Sequence, residues 1–248
     1  PILVSMQGNI NVIYHKYFSG IDKKYASYKR YTGDIMTMLL ERTFLDTYKV
    51  FYKMKRIESK NMLNISYIMG RTDWDRRIAS VFSPNAMYFK GGEMLRSEFY
   101  LNQWEPKPES DKLIIHTTNG NSAYKGFETL CAALHLLNNL NYNIEWRVAG
   151  INENDKIVSI VRKQLKSNYP RKGLVFLGNL GPVDLVSKLL EAHMYVMPSH
   201  IENSPNNLCE AMMLGMPCIA SFDGGTSSIL RDGEEGILVQ DGDPWVLA

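Results

Sequence analysis

Between residues 113 and 239 the chain alternates short apolar runs with longer stretches whose apolar positions recur every three or four residues. Short apolar runs bounded by turn residues read as buried strands, and the three-to-four spacing reads as amphipathic helix. Strands are therefore expected over 113–117, 144–149, 174–177, 194–197, 218–222 and 236–239. Helices are expected between them, over 126–140, 156–166, 182–192 and from about residue 206. Phe127, Leu130, Ala133, Leu136 and Leu137 give the first of these helices its apolar face. Strands joined by short loops and helical crossovers imply a parallel, doubly wound α/β sheet.

Upstream the same alternation is shorter. Residues 2–6, 65–70 and 86–89 are expected strands, and 74–82 and 93–100 expected helices. This order reads as the later part of a parallel sheet, so the first of two Rossmann-like units is expected to be incomplete. Residues 9–32 lack periodicity and read as a functional loop. Residues 33–60 have helical spacing through Ile35, Met38, Leu39, Phe44, Leu45, Tyr48, Phe51 and Tyr52. Residues 104–112, with Pro106 and Pro108 among charges, are the expected linker between units at 1–103 and 113–248.

At 248 residues and 45% hydrophobic, the chain can bury a substantial core, which argues against disorder. Its formal charge of +2 conceals an asymmetry: before Asn61 there are 11 basic and 5 acidic residues, interleaved with Tyr14, Tyr17, Tyr25, Tyr28 and Tyr31. Such a segment suits either a solvated basic face or contact with an anionic surface. Cys131, Cys209 and Cys218 lack CxxC spacing and sit in apolar surroundings, as free thiols in a reducing compartment do. No apolar run reaches the roughly 18 residues that a membrane span needs.

The chemistry concentrates in residues 194–225, MYVMPSHIENSPNNLCEAMMLGMPCIASFDGG. A strand, a polar loop, a helix stopped at Gly215-Met216-Pro217, a second strand and a glycine loop form a βαβ unit. Ligands of such units collect beyond the carboxyl ends of the strands, where helix N-termini offer backbone N–H groups to anions. Glu202 lies in the loop and Glu210 early in the helix. A carboxylate accepts two hydroxyl hydrogen bonds well, while the amides of Asn206, Asn207 and Leu208 can face a phosphate. A vicinal diol beside a diphosphate describes a nucleotide sugar. The plainer alternative is a solvated loop glutamate and a helix-dipole partner.

The stretch from Pro198 to Gly225, with seven residues between its glutamates, resembles the donor-site signature of family-4 retaining glycosyltransferases of the GT-B fold. GRTDWDR at 70–76 and the segment 83–100 are similar to first-domain segments of a branch of that family. The resemblance implies an α/β fold of two Rossmann-like domains and transfer of a hexose from a nucleoside-diphosphate sugar with retention. It implies no cofactor and no metal. The acceptor would be a glycan or a lipid-linked glycan, at the cytoplasmic side and with peripheral contact to the inner face of a membrane; nucleic acid is not an expected partner.

Residue by residue, the resemblance assigns Glu202 and Lys125 to catalysis, Glu202 by holding donor hydroxyls and Lys125 by neutralising the diphosphate. Glu210 would take the ribose hydroxyls. Gly178, Asn179 and Leu180 would read the base, while Ser204, Asn206, Asn207, Leu208, Gly224 and Gly225 would line the phosphates and sugar. Two departures stand out. The family's arginine before Lys125-Gly126 is missing, leaving Asn119 and Gly120 in that loop, and Pro205 stands where many members have a glycine whose N–H reaches the ligand. Arg71 is placed at the interdomain or acceptor side. Asp73-Trp74-Asp75 and Asp241-Gly242-Asp243 have metal-motif spacing, but each opens a helix, where aspartate serves as a cap. A donor-binding module without turnover, and a sugar-nucleotide epimerase pairing a carboxylate with His116 or His200, remain open alternatives.

Overall fold

The computed structural model describes residues 2–29, 36 and 40–248. Two parallel sheets organise them. The first joins β1 (Leu3–Ser5), β2 (Tyr67–Gly70) and β3 (Met87–Lys90) in the order β1-β2-β3. The second contains β4 (Leu113–Thr118), β5 (Ile144–Ala149), β6 (Leu174–Gly178), β7 (Met194–Met197), β8 (Cys218–Phe222) and β9 (Ile237–Gln240). Its spatial order, β6-β5-β4-β7-β8-β9, reverses direction at β4, and every pairing is parallel. The switch point therefore falls between the loops after β4 and β7, the place where a doubly wound sheet takes its ligand.

Helices cover both faces of the second sheet, and each face has its own core. On one side α5 (Phe127–Asn139) and α6 (Lys156–Leu165) pack Phe127, Leu130, Leu134, Ile157 and Val161 around Trp146. On the other, α7 (Pro182–Glu191) and α8 (Asn206–Met213) enclose Leu185, Leu189, Tyr195, Leu208 and Leu214. The first sheet has a smaller core of Met6, Met62, Ile68 and Ala79.

The amino-terminal third departs most from expectation. Residues 9–32, read as a functional loop, contain helix α1 (Ile10–Lys16) and a short turn at Lys23–Tyr25. Tyr17 and Ile21 are only 2% exposed and join the core of the second sheet, not the first. A helix of seven residues is marginal by itself. Here it is held by tertiary packing, with Tyr14 stacked on Tyr48 at 4.6 Å and Tyr17 edge-on to Phe51. The tyrosines that suggested a surface contact are largely structural; Tyr31 lies outside the described residues.

The helix expected over 33–60 is α2, Phe44–Met62. Thr43 and Asp46 form a reciprocal capping box that sets its start. Ile35, Met38 and Leu39 lie outside the described residues. The expected helix 93–100 shrinks to α4 (Ser97–Tyr100); before it, Glu93 pairs with Arg71 and Arg96 with Glu210. Phe99 is fully buried in the α7/α8 core, and Trp104 donates its indole N–H to Ala192 O at 2.7 Å. The chain thus engages the second sheet's core before the expected linker. Helix α3 (Asp73–Phe82) and the terminal α9 (Pro244–Leu247) complete the described elements.

Candidate donor site

The loop after β7 is pinned by glycines on neighbouring segments. Gly126, at φ +70°, is the N-cap of α5, and a Cβ there would lie 1.8 Å from Pro198 O. Only glycine allows that approach. A Cβ on Gly224 would lie 2.0 Å from Glu202 O, and one on Gly225 would lie 1.9 Å from Asn203 O. The Gly225 N–H donates to Glu202 O, and the Glu202 N–H to Asp223 Oδ1 at 3.1 Å. The glycine loop after β8 therefore grips the backbone of the Glu202 loop. Burial pushes the Asp223 carboxyl well above the usual range, with Glu202 adding to it.

This grip sets two side chains face to face: Lys125 Nζ lies 2.6 Å from Glu202 Oε1. Burial opposes the lysine's charge, but the Glu202 carboxylate outweighs it and holds the ammonium above its ordinary pKa. Asn119, in the same first loop, donates from Nδ2 to Lys125 O at 3.2 Å and accepts from the Gly120 N–H at 2.7 Å. Asn207 Nδ2 ties the start of α8 to Thr118 O at 3.0 Å. The loops after β4 and β7 are thereby joined across the switch point of the sheet.

Further along α8, Glu210, its fifth residue, receives both arms of Arg96. Nε to Oε1 and Nη2 to Oε2 are each 2.7 Å. Arg71 also points here: Nη1 donates to Asn206 Oδ1 at 2.9 Å, Nη2 to Ser204 O at 3.2 Å, and Glu93 pairs with the same guanidinium. Among the expected amide donors, the Leu208 N–H is already given to Asn207 Oδ1. Asn206 and Asn207, as first residues of α8, have N–H groups without intrahelical acceptors. Gly178, at φ +63°, ends β6, followed by exposed Asn179 and half-buried Leu180 before α7.

The remaining candidates are engaged otherwise. Asp75 completes the capping box of α3 and accepts from the Tyr88 hydroxyl. Asp243 caps α9, and Asp241 accepts from His200. Asp73 pairs with Arg76, and among the described residues no group of three or more His, Cys, Asp or Glu could hold a metal. His116 is buried in β4 without a partner for either ring nitrogen; burial, then Arg147, lowers its pKa to about 3. His200 is clamped between Glu128 Oε1 and Asp241 Oδ1, 2.5 Å from each. Of the two histidines only His200 stands against carboxylates, and it is buried between them.

Sequence reasoning missed Arg96, Glu93 and the Glu128–His200–Asp241 cluster. Only geometry relates these residues, since they come from distant segments.

A doubly wound parallel sheet together with a second parallel sheet is the architecture of GT-B glycosyltransferases. Residues 101–248 match the family described as glycosyl transferases group 1, and the chain belongs to that family. Over 187 residues it is 24% identical to N-acetyl-alpha-D-glucosaminyl L-malate synthase of Bacillus anthracis, covering 75% of this chain and 45% of that protein. The chain thus spans less than half the length of that relative. Among solved structures it is similar to sucrose-phosphate synthase of Thermosynechococcus elongatus (TM-score 0.66, 17% identity, 99% of this chain and 56% of that one). It is also similar to Anabaena HepE in complex with UDP and glucose (TM-score 0.61, 14% identity, 100% and 60%). These two likenesses concern the fold.

Proposed function

We propose that the protein transfers a hexose from a nucleoside-diphosphate sugar to a glycan or lipid-linked acceptor, with retention and without a metal, residues 113–248 forming the donor-binding domain. The observation that carries this reading is the Lys125–Glu202 pair at 2.6 Å, set beside the first turn of α8 with Glu210 further along it. Sugar transfer passes through an oxocarbenium-like state while negative charge grows on the departing diphosphate. The α8 N-terminus is preorganised to stabilise that charge, and Lys125 joins it once released from Glu202. A diphosphate draws the ammonium from Glu202, whose carboxylate then holds hydroxyls of the transferred sugar near the reacting carbon. Glu210 takes the ribose hydroxyls, and Gly178 to Leu180 border the base. Arg71, from the first sheet, adds a guanidinium at Asn206 where the loop after β4 has none.

The acceptor side would lie along the first sheet. Lys49, Lys53, Arg56 and Lys60 recur on one exposed side of α2, which suits a peripheral approach to an anionic membrane. Among the described residues no helix is long and apolar enough to cross a membrane.

Calorimetry with UDP, GDP and ADP tests the reading, UDP first because HepE holds it. One of the three is expected to bind with equal affinity before and after EDTA treatment. Binding restored only by Mg2+ or Mn2+ would remove the metal-independent mechanism, and no binding by any of them would remove the donor site.

A further inference from the structure

Glu210 is 5% exposed, so what its carboxylate can do depends on what faces it. That neighbour is Arg96, which comes from outside the second sheet and reaches it from just before α4. The pairing is a parallel fork, both donor-to-acceptor distances being 2.7 Å, the arrangement that adds geometric specificity to charge. The guanidinium is in turn supported from behind. Its Cζ lies 4.9 Å from the ring centroid of Phe99, a side chain with no exposed surface. An arginine stacked on a fixed aromatic ring is already ordered before any ligand arrives.

The acceptor count gives this fork a purpose. A carboxylate has about four lone-pair sites, and a bidentate guanidinium takes one on each oxygen. One site per oxygen remains, on the outer side of each, and because the two diverge a ribose hydroxyl can take either one. Glu210 holds the Arg96 charge above its ordinary range, against the effect of burial.

We propose that Arg96 is a positioning residue for donor recognition: braced by Phe99, it fixes Glu210 so that an acceptor site left free on the carboxylate reads a hydroxyl of the nucleotide's ribose. The proposal rests on the assignment of Glu210 to the ribose, and gives the segment before α4 a share in donor selection.

Calorimetry with UDP and 2′,3′-dideoxy-UDP on the intact protein tests it, GDP and ADP with their dideoxy forms serving if UDP does not bind. The parent protein is expected to prefer the ribose form by about tenfold or more. In Arg96→Ala that preference collapses toward one, while affinity for the ribose form falls about ten- to a hundredfold. Arg96→Lys, which keeps the charge but loses the fork, recovers only part of the preference. Tighter UDP binding by Arg96→Ala would overturn the proposal, because the guanidinium would then be blocking the ribose position. A preserved ribose preference in a variant whose Tm alone has dropped would also overturn it, reducing Arg96 to a strut between segments. Failure of the parent to bind any of the three nucleotides would instead remove the underlying assignment.

Discussion

His200→Phe is expected to cost about 3–5 kcal/mol of stability, the range for removing one partner of a buried ion pair. The imidazole is 3% exposed and lies between Glu128 on α5 and Asp241 just past β9, with Lys16 of α1 on the far side of Asp241 at 2.9 Å. Phenylalanine fills the volume but leaves two carboxylates facing a ring with no N–H to donate. Burial works against the imidazolium, yet bonds to Asp241 and Glu128 overcome it and raise its pKa to about 10. The sign of the pH effect follows. A group whose folded pKa is raised contributes fully below its unfolded value near 6.5, and that contribution is lost as pH rises toward 10. Melts at pH 6 and pH 10 should show the parent losing stability over this interval, with that loss largely absent in His200→Phe. A variant within about 1 kcal/mol of the parent, with the same pH slope, would mean that the cluster does not hold these segments together.

The second large effect separates the glutamates. Glu210→Ala should weaken nucleoside diphosphate and nucleotide sugar alike, by about ten- to a hundredfold, because it removes charge-assisted acceptors from the part both ligands share. Glu202→Ala should leave nucleoside diphosphate affinity nearly intact, and raise it if anything, since Lys125 loses a competitor 2.6 Å away. Its cost should appear in kcat, reduced about ten- to a hundredfold, since a sugar free to rotate loses the geometry on which transfer depends. Calorimetry together with a transfer assay decides the matter. Loss of nucleoside diphosphate binding in Glu202→Ala as severe as in Glu210→Ala would show that the roles are misassigned.

The second sheet was readable because its signals are local. Each strand is a short apolar run, the crossovers keep helical spacing, and expected bounds such as 144–149, 194–197 and 218–222 agree with the observed strands. The amino-terminal third was not readable in this way. Nothing near Tyr17 announces that it will pack 5.9 Å from Tyr124, more than a hundred positions along the chain. Thr43-x-x-Asp46 is a readable capping box, but apolar spacing continuing upstream hid the start of α2. Partnerships within the site were the least legible. Arg96 and Glu210 are 114 positions apart, and His200 finds Glu128 at 72 and Asp241 at 41. Spacing rules describe neighbours on one element; they say nothing of side chains delivered from separate ones.

The placement of Tyr17, Ile21, Phe44 and Phe99 bears on how the protein can be dissected. All four are buried with the second sheet's helices, though each precedes residue 101, where the family match begins. A fragment cut at that boundary keeps every strand of the second sheet and loses part of its covering. Two newly wet apolar patches would result, one over α5 and α6 and one beside α7 and α8, and such patches promote self-association. Poor solubility of the fragment would then reflect where the cut was made, and a boundary placed before Asn9 would keep the second sheet's helices covered.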